Sequence, residues 1–288
     1  MTKISRREFI AGTTAAVGAA ALVGRTAWAD STKKISSGTD LVTLGKTGIQ
    51  TTVLGVGTGT HGGNDQIDIG QADFTRMVRH ALERGIRYID TADMYKTHLF
   101  VRLALKGVAR EKYFIQTKTT AKHPEVAKAD IERFRQELRI DQLDTLLMHC
   151  MTTGTWPTDM RPVMDVLQDA KAKGRVRAIG YSCHGWDPLA AGADCDWADV
   201  QLARINPFGL VMDGEPADVA GQLKKAHDKG RGILGMKIYG EGAVDTPEKR
   251  LQSLKYVLGL GCVDAFTIGF VNTKQIDETL DMIAKAVA

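Results

Sequence analysis

Four cysteines in 288 residues, none of them in a C-x-x-C pair, exclude a disulfide-stapled scaffold or a thiolate metal cluster as the organising principle. Cys150, Cys183, Cys195 and Cys262 are scattered through apolar runs and read as buried free thiols. No H-E-x-x-H or equivalent ligand spacing is present, so no metal is expected. A surplus of one charge is missing as well. The formal net charge is +4, but Lys3, Arg6, Arg7 and Arg25 against Glu8 leave the chain after residue 29 close to neutral. That excludes the broad basic surface a nucleic-acid backbone requires. Beyond the N-terminal segment no run is long and apolar enough for a transmembrane helix, so the mature protein is expected to have no stable membrane span. What remains is a composition of 43% hydrophobic and 25% charged residues, enough to bury a core of one domain or at most two and unlike a disordered chain.

The first 29 residues differ from the rest. Arg6 and Arg7 precede Phe9 and Ile10, an Ala/Gly-rich apolar stretch follows, and Ala27-Trp28-Ala29 gives a small-x-small cleavage pattern before Asp30. This segment resembles a twin-arginine signal peptide, an address for proteins that cross a membrane already folded. It implies the twin-arginine export machinery as a partner and a periplasmic or otherwise exported location after cleavage near Ala29. Residues 30–40, rich in Ser, Thr and Lys, read as a flexible lead, and residues 41–288 as one folded domain.

Two short apolar runs around Lys46-Thr47-Gly48 predict an N-terminal β-hairpin. Strand-like runs then begin near Leu54, Ile86, Tyr113, Leu143, Val176, Ala198, Ile233 and Val263. Between them lie helical patterns at 71–84, 99–109, 125–139, 160–173, 215–229, 247–259 and 273–286, with only one or two turns expected around 187–193. In the pattern at 125–139, Val126, Ala129, Ile131, Phe134 and Leu138 form an apolar stripe, while Lys128, Glu132, Arg135 and Glu137 read as solvated charges. Alternating strands and helices in this number predict an α/β fold, a closed (β/α)8 TIM barrel preceded by the hairpin. The competing arrangement, an open doubly wound sheet, lacks its G-x-G-x-x-G fingerprint after an early strand.

In such a barrel the C-terminal strand ends converge on one pocket. Asp90 ends one apolar run with Tyr95 just beyond it, Lys118 ends the next, and His149 ends the one after. Alone, each reads equally well as a turn cap or a rim residue; together, at consecutive strand ends, they form a candidate reactive cluster. The runs GIRYIDTADMY, YFIQTKT, LLMH and IGYS, followed by Gln201 before RINPF, resemble the aldo-keto reductase family, over nearly all of residues 41–288.

The resemblance implies an NAD(P)H-dependent carbonyl reductase with Asp90, Tyr95, Lys118 and His149 as catalytic residues. Hydride addition to an aldehyde or ketone leaves negative charge on oxygen, so an acid must stand against that oxygen. A free phenol has a pKa of about 10, and an ammonium at Lys118 stabilises its phenolate, which makes Tyr95 the expected acid. Asp90 is expected to hold Lys118 charged, and His149 to hydrogen-bond the carbonyl oxygen.

The resemblance also places Ser182 and Gln201 around the nicotinamide carboxamide, with Cys183 where the family commonly has Asn. Met236 stands at the position of an aromatic ring-packing residue, followed by Lys237 as a candidate pyrophosphate contact. Gly269 and Gln275 occupy positions that typically grip a 2′-phosphate, leaving Lys274 as the nearby cation. The cofactor is therefore written as NADP or NAD, with NADP on the family's preference alone. The chain stops shortly after Ala286, without the long C-terminal loop of many relatives, so the pocket is expected to be open on that side. Trp156, Met94 and His61 are the candidate walls for a small-molecule carbonyl substrate.

Two other functions fit a chain of this kind. One is a nicotinamide-nucleotide-binding partner or sensor subunit with slow or vestigial reductase activity; the other is an isomerase or aldolase on the same barrel, with Lys118 forming an imine. The intact cluster of four favours the reductase.

Overall fold

The computed structural model describes residues 34–288; the expected signal peptide and the first part of the lead lie outside the described residues. The fold begins earlier than residue 41. The Asp40 carboxylate accepts from Ser36 N at 2.7 Å and Ser37 N at 3.0 Å, and Leu54 N donates to Gly38 O at 2.8 Å. The end of the expected lead is thus tied to the first barrel strand.

Strands β1 (Leu41–Thr43) and β2 (Gln50–Thr52) pair antiparallel as the expected hairpin. Eight parallel strands then close into a barrel: β3 (Leu54–Gly57), β4 (Tyr88–Asp90), β5 (Phe114–Thr119), β6 (Leu143–Met151), β7 (Val176–Cys183), β8 (Val200–Arg204), β9 (Gly232–Met236) and β10 (Ala265–Gly269). β10 pairs with both β3 and β9, so the barrel has no free edge. Helices α1 (Gly70–Glu83), α2 (His98–Ala104), α3 (Pro124–Leu138), α4 (Arg161–Ala172), α5 (Trp186–Asp194), α6 (Pro216–Asp228), α7 (Pro247–Gly259) and α8 (Thr273–Val287) follow the strands in turn. No described helix is long and apolar enough to cross a membrane.

Two helices differ from expectation. α5 runs for nine residues, because Leu189 and Ala193 bury a face although Gly192 interrupts the pattern. α2 ends at Ala104, short of 109, where Leu105 and the left-handed Gly107 turn the chain. On α3 the inward face is Ala127, Asp130, Ile131, Phe134 and Leu138, while Val126 is 48% exposed. A polar side chain, Asp130, therefore takes a place in the stripe.

Strand side chains alternate between two cores. Tyr88, Phe114, Leu147, Ala178, Val200, Leu202, Leu234 and Ala265 fill the barrel interior together with Leu44 and Ile49, which the hairpin inserts to close its N-terminal end. The alternate positions, such as Ile89, Ile115, Leu146 and Tyr181, pack against the helices. Inside the barrel a Cβ on Gly55 would stand 2.3 Å from the Tyr88 ring, so only glycine leaves the tyrosine its room.

Beside the hairpin, a cavity of about 680 Å³ opens among Arg87, Arg110, Tyr113, Arg139 and Arg177. Asp144, at its inner side, accepts from Arg110 Nη2 at 2.6 Å, Arg177 Nη1 at 2.8 Å and Ile115 N at 2.8 Å. Its charge is shared by two guanidinium groups, so the buried carboxylate is fully satisfied.

Candidate active site

The opposite, C-terminal mouth holds a cavity of about 600 Å³. Around it the last inward-facing residues of the strands form a ring of Gly57, Asp90, Lys118, His149, Ser182, Arg204, Met236 and Gly269. The period-two pleat delivers them, because each lies two or four residues beyond an inward-facing position of its own strand.

Lys118 is fully buried. Its ammonium donates to Asp90 Oδ1 at 2.6 Å and to Thr91 O at 2.9 Å, and stands 3.5 Å from the Tyr95 hydroxyl. Burial alone would lower its pKa, but Asp90 and Tyr95 hold it above the usual lysine value, so it stays charged. Tyr95 arrives from a short 3-10 turn, Asp93–Tyr95, just after β4. Its hydroxyl is also 3.5 Å from His149 Nε2, with the two rings edge to face. The four expected catalytic residues therefore form one cluster, with Asp90, Tyr95 and His149 lining the cavity and Lys118 buried behind them.

The electrostatics add burial to the expected influence of Lys118. Burial raises the Tyr95 phenol above its ordinary value and outweighs the lowering pull of Lys118, so the group is protonated at neutral pH. Burial, Lys118 and His184 push His149 down to about 3, so its imidazole is neutral. Among the described residues no group bonds its buried Nδ1. Tyr88 and His98 belong to the same region but not to the cavity wall. Gln116 Nε2 donates to Tyr88 Oη at 2.9 Å and to Asp90 Oδ1 at 2.8 Å beneath the site, while His98 turns outward to Glu137 and Thr117.

Of the expected cofactor residues, Met236, Lys237, Gly269 and Gln275 line the cavity. Lys237 is spent on Glu241 at 2.6 Å, and Gln275 Oε1 accepts from Val271 N at 2.9 Å. Ser182 sits in the ring, but its hydroxyl accepts from Cys150 N at 3.0 Å. Three expectations fail. Gln201 points outward to Arg231 at 3.3 Å, because on β8 the inward positions are Val200, Leu202 and Arg204. Cys183 packs in the outer core, so its thiol does not stand in for a family Asn at the cavity. Lys274 is 83% exposed, pairs with Glu278 at the rim and does not itself line the cavity.

Met94 and His61 line the cavity as expected of substrate walls, whereas Trp156 does not. Trp156 is 1% exposed, stacks on Tyr181 with ring centres 4.5 Å apart, and donates its indole N–H to Pro188 O. It is a core residue between the helices. The residue that sequence reasoning missed is Arg204. It lines the cavity at the end of β8, and its guanidinium bonds the buried Asp213, which also accepts from Gly185 N. The strand-end rule that found Asp90, Lys118 and His149 would have found it too.

A dinucleotide fits this cavity on several counts. Gly57 and Gly269 keep its floor low: a Cβ on Gly269 would stand 1.9 Å from Thr60 Oγ1, and one on Gly57 would stand 2.7 Å from Thr267 Oγ1. Thr267 Oγ1 is buried with no partner among the described residues. Gln275 of α8 lines the same cavity, one helical turn into a helix whose Asn272 cap accepts from Gln275 N at 3.0 Å.

Residues 53–286 match the aldo/keto reductase family. Among curated proteins, glyoxal reductase of Bacillus subtilis is 34% identical over 54% of this chain and 65% of its own length. The NADH-specific methylglyoxal reductase of Escherichia coli is 27% identical over 64% of this chain and 62% of its own. The chain thus spans somewhat less than two thirds of the length of these relatives. Among solved structures, an aldo-keto reductase from Bacillus halodurans in its holo form superposes with a TM-score of 0.70 at 17% identity, over 86% of this chain and 95% of that one, a likeness of fold.

Proposed function

The chain belongs to the aldo/keto reductase family, and on that premise we propose that it reduces small aldehydes or ketones with NADH or NADPH, Tyr95 serving as the proton donor. The observation that carries this reading is the Tyr95 hydroxyl, 3.5 Å from both Lys118 Nζ and His149 Nε2 at one cavity. Met236, which lines the cavity, would pack against a nicotinamide ring, and that cofactor when bound would supply the hydride. As negative charge grows on the carbonyl oxygen, Tyr95 releases its phenolic proton to it. Lys118, kept charged by Asp90, stabilises the phenolate left behind. His149, neutral, donates an N–H to the same oxygen and fixes its angle. Neither residue needs to change charge before the step begins.

We read NADH as the preferred cofactor. Gly269 and Gln275 offer no cation for a 2′-phosphate, Glu278 lines the cavity with the opposite charge, and the cations that line it are engaged elsewhere, Arg204 with Asp213, Lys237 with Glu241, and Arg250 with Val244 O and the Tyr239 ring. The relatives named for glyoxal and methylglyoxal suggest small 2-oxoaldehydes as substrates. Arg6, Arg7 and Ala27-Trp28-Ala29 support export through the twin-arginine route, with the cofactor loaded before the folded protein crosses.

Replacing Tyr95 by Phe tests the assignment. Turnover of methylglyoxal is expected to fall by about 10²–10⁴, while fluorescence titration shows NADH bound as in the parent and more tightly than NADPH. Undiminished turnover in Y95F removes Tyr95 as the acid.

A further inference from the structure

Outside the cavity, one polar cluster is built more densely than surface chemistry requires. Asp93, His98 and Glu137 bring ligand-type atoms within 4.8 Å of one another, a spacing that would suit a divalent ion. The cation there is the guanidinium of Arg133. Its Nη1 donates to Asp93 Oδ1 at 2.7 Å and Glu137 Oε1 at 3.0 Å, and its Nη2 to Asp93 Oδ2 at 2.9 Å and Asp130 Oδ1 at 2.7 Å. The hydrogen bond to Asp93, first among these, holds the guanidinium above the usual arginine range. Glu137 in turn bonds His98 Nδ1 at 2.7 Å, and His98 Nε2 meets Thr117 Oγ1 at 2.8 Å, next to Lys118.

Asp93 is the first residue of the turn whose last residue is Tyr95. Neither of the contacts made by the Tyr95 hydroxyl is shorter than 3.5 Å, too long to anchor the ring from its tip. Its placement is inherited from the turn. One side of that turn is steric: a Cβ on Gly59 would stand 2.4 Å from the Tyr95 ring, and one on Gly63 would stand 2.5 Å from Tyr95 O. The other side is the two-pronged Arg133–Asp93 pair, which ties the turn to α3, the helix that follows the strand carrying Lys118. Bidentate guanidinium–carboxylate pairs fix direction as well as distance.

We propose that Arg133 is a positioning residue for the proton donor: by gripping Asp93 in two places it sets how close the Tyr95 hydroxyl stands to Lys118 and His149. This rests on the reading of Tyr95 as the acid. The guanidinium does not line the cavity and acts through the turn.

R133M keeps the apolar stem and removes the grip. Turnover is expected to fall about 10- to 100-fold, with KM for methylglyoxal and NADH affinity by fluorescence titration nearly unchanged. In the alcohol-oxidising direction, which needs the phenolate, the pH of half-maximal rate moves upward, because a phenol farther from Lys118 loses its lowering influence. R133K, with charge but no fork, falls between, and free guanidinium partly restores R133A. The restoration and the R133K result stand even if R133M folds poorly. Parental turnover and an unmoved pH limb in folded R133M or R133K, alongside an inactive Y95F, overturn the proposal alone. An active Y95F overturns the reading beneath it.

Discussion

The two ends of the barrel carry similar raw material and use it differently. At the N-terminal end, Asp144 is 2% exposed and takes hydrogen bonds from two arginines and a backbone amide, so both carboxylate oxygens have donors. At the C-terminal end, Lys118 and Asp90 are as deeply buried, yet the groups above them are left short of partners. Tyr95 sits at 3.5 Å from both neighbours, and His149 Nδ1 and Thr267 Oγ1 have none among the described residues. Size does not separate them, since the two cavities are of similar volume, about 680 Å³ and 600 Å³. The distinction is unfinished hydrogen bonding, which costs stability and leaves groups available to a ligand.

Substitutions at the two ends should separate accordingly. The largest effect is expected from K118M, which leaves the Asp90 carboxylate buried without its cation. Both turnover and stability should collapse together, the latter by about 3–5 kcal/mol in urea denaturation. An unchanged denaturation midpoint would mean that the lower half of the active site is as self-sufficient as the N-terminal end. D144N should be milder, costing about 1–3 kcal/mol with turnover per folded molecule intact; a loss of specific activity would erase the contrast. The smallest effect concerns acid. His149 has a folded pKa of about 3, below its unfolded value, so the unfolded chain takes up the proton first. Its contribution is present above the unfolded value of about 6.5 and declines as pH falls toward the folded one, amounting to about 2 kcal/mol by pH 5. H149Q should flatten that slope in denaturation curves between pH 7 and 5.

The barrel was legible because apolar runs and helical stripes alternate with little interruption, and the cluster was legible because Asp90, Lys118 and His149 each stand where an apolar run meets a loop. The failures share one cause. A barrel strand is apolar on both faces, so its parity cannot be read from hydrophobicity. Gln201 and Cys183 were placed inward by motif, yet each lies one residue out of phase with the ring, while Arg204 was in phase and unmarked. Trp156 failed for a different reason: a loop tryptophan gives no sign that α5 will cover it. Glu137 read as a solvated charge because its buried partner His98 meets it only once α2 and α3 have packed, although Arg133 stands one turn away on the same helix.

Gly55 and Tyr88 face each other inside the barrel at a distance that admits no added carbon. The phenol of Tyr88 also accepts from the same Gln116 amide that steadies Asp90. Two neighbouring positions deep in the staves are thus bound into one heritable unit, in which bulk gained at one must be surrendered at the other, and any engineer reshaping the mouth inherits that bargain from below.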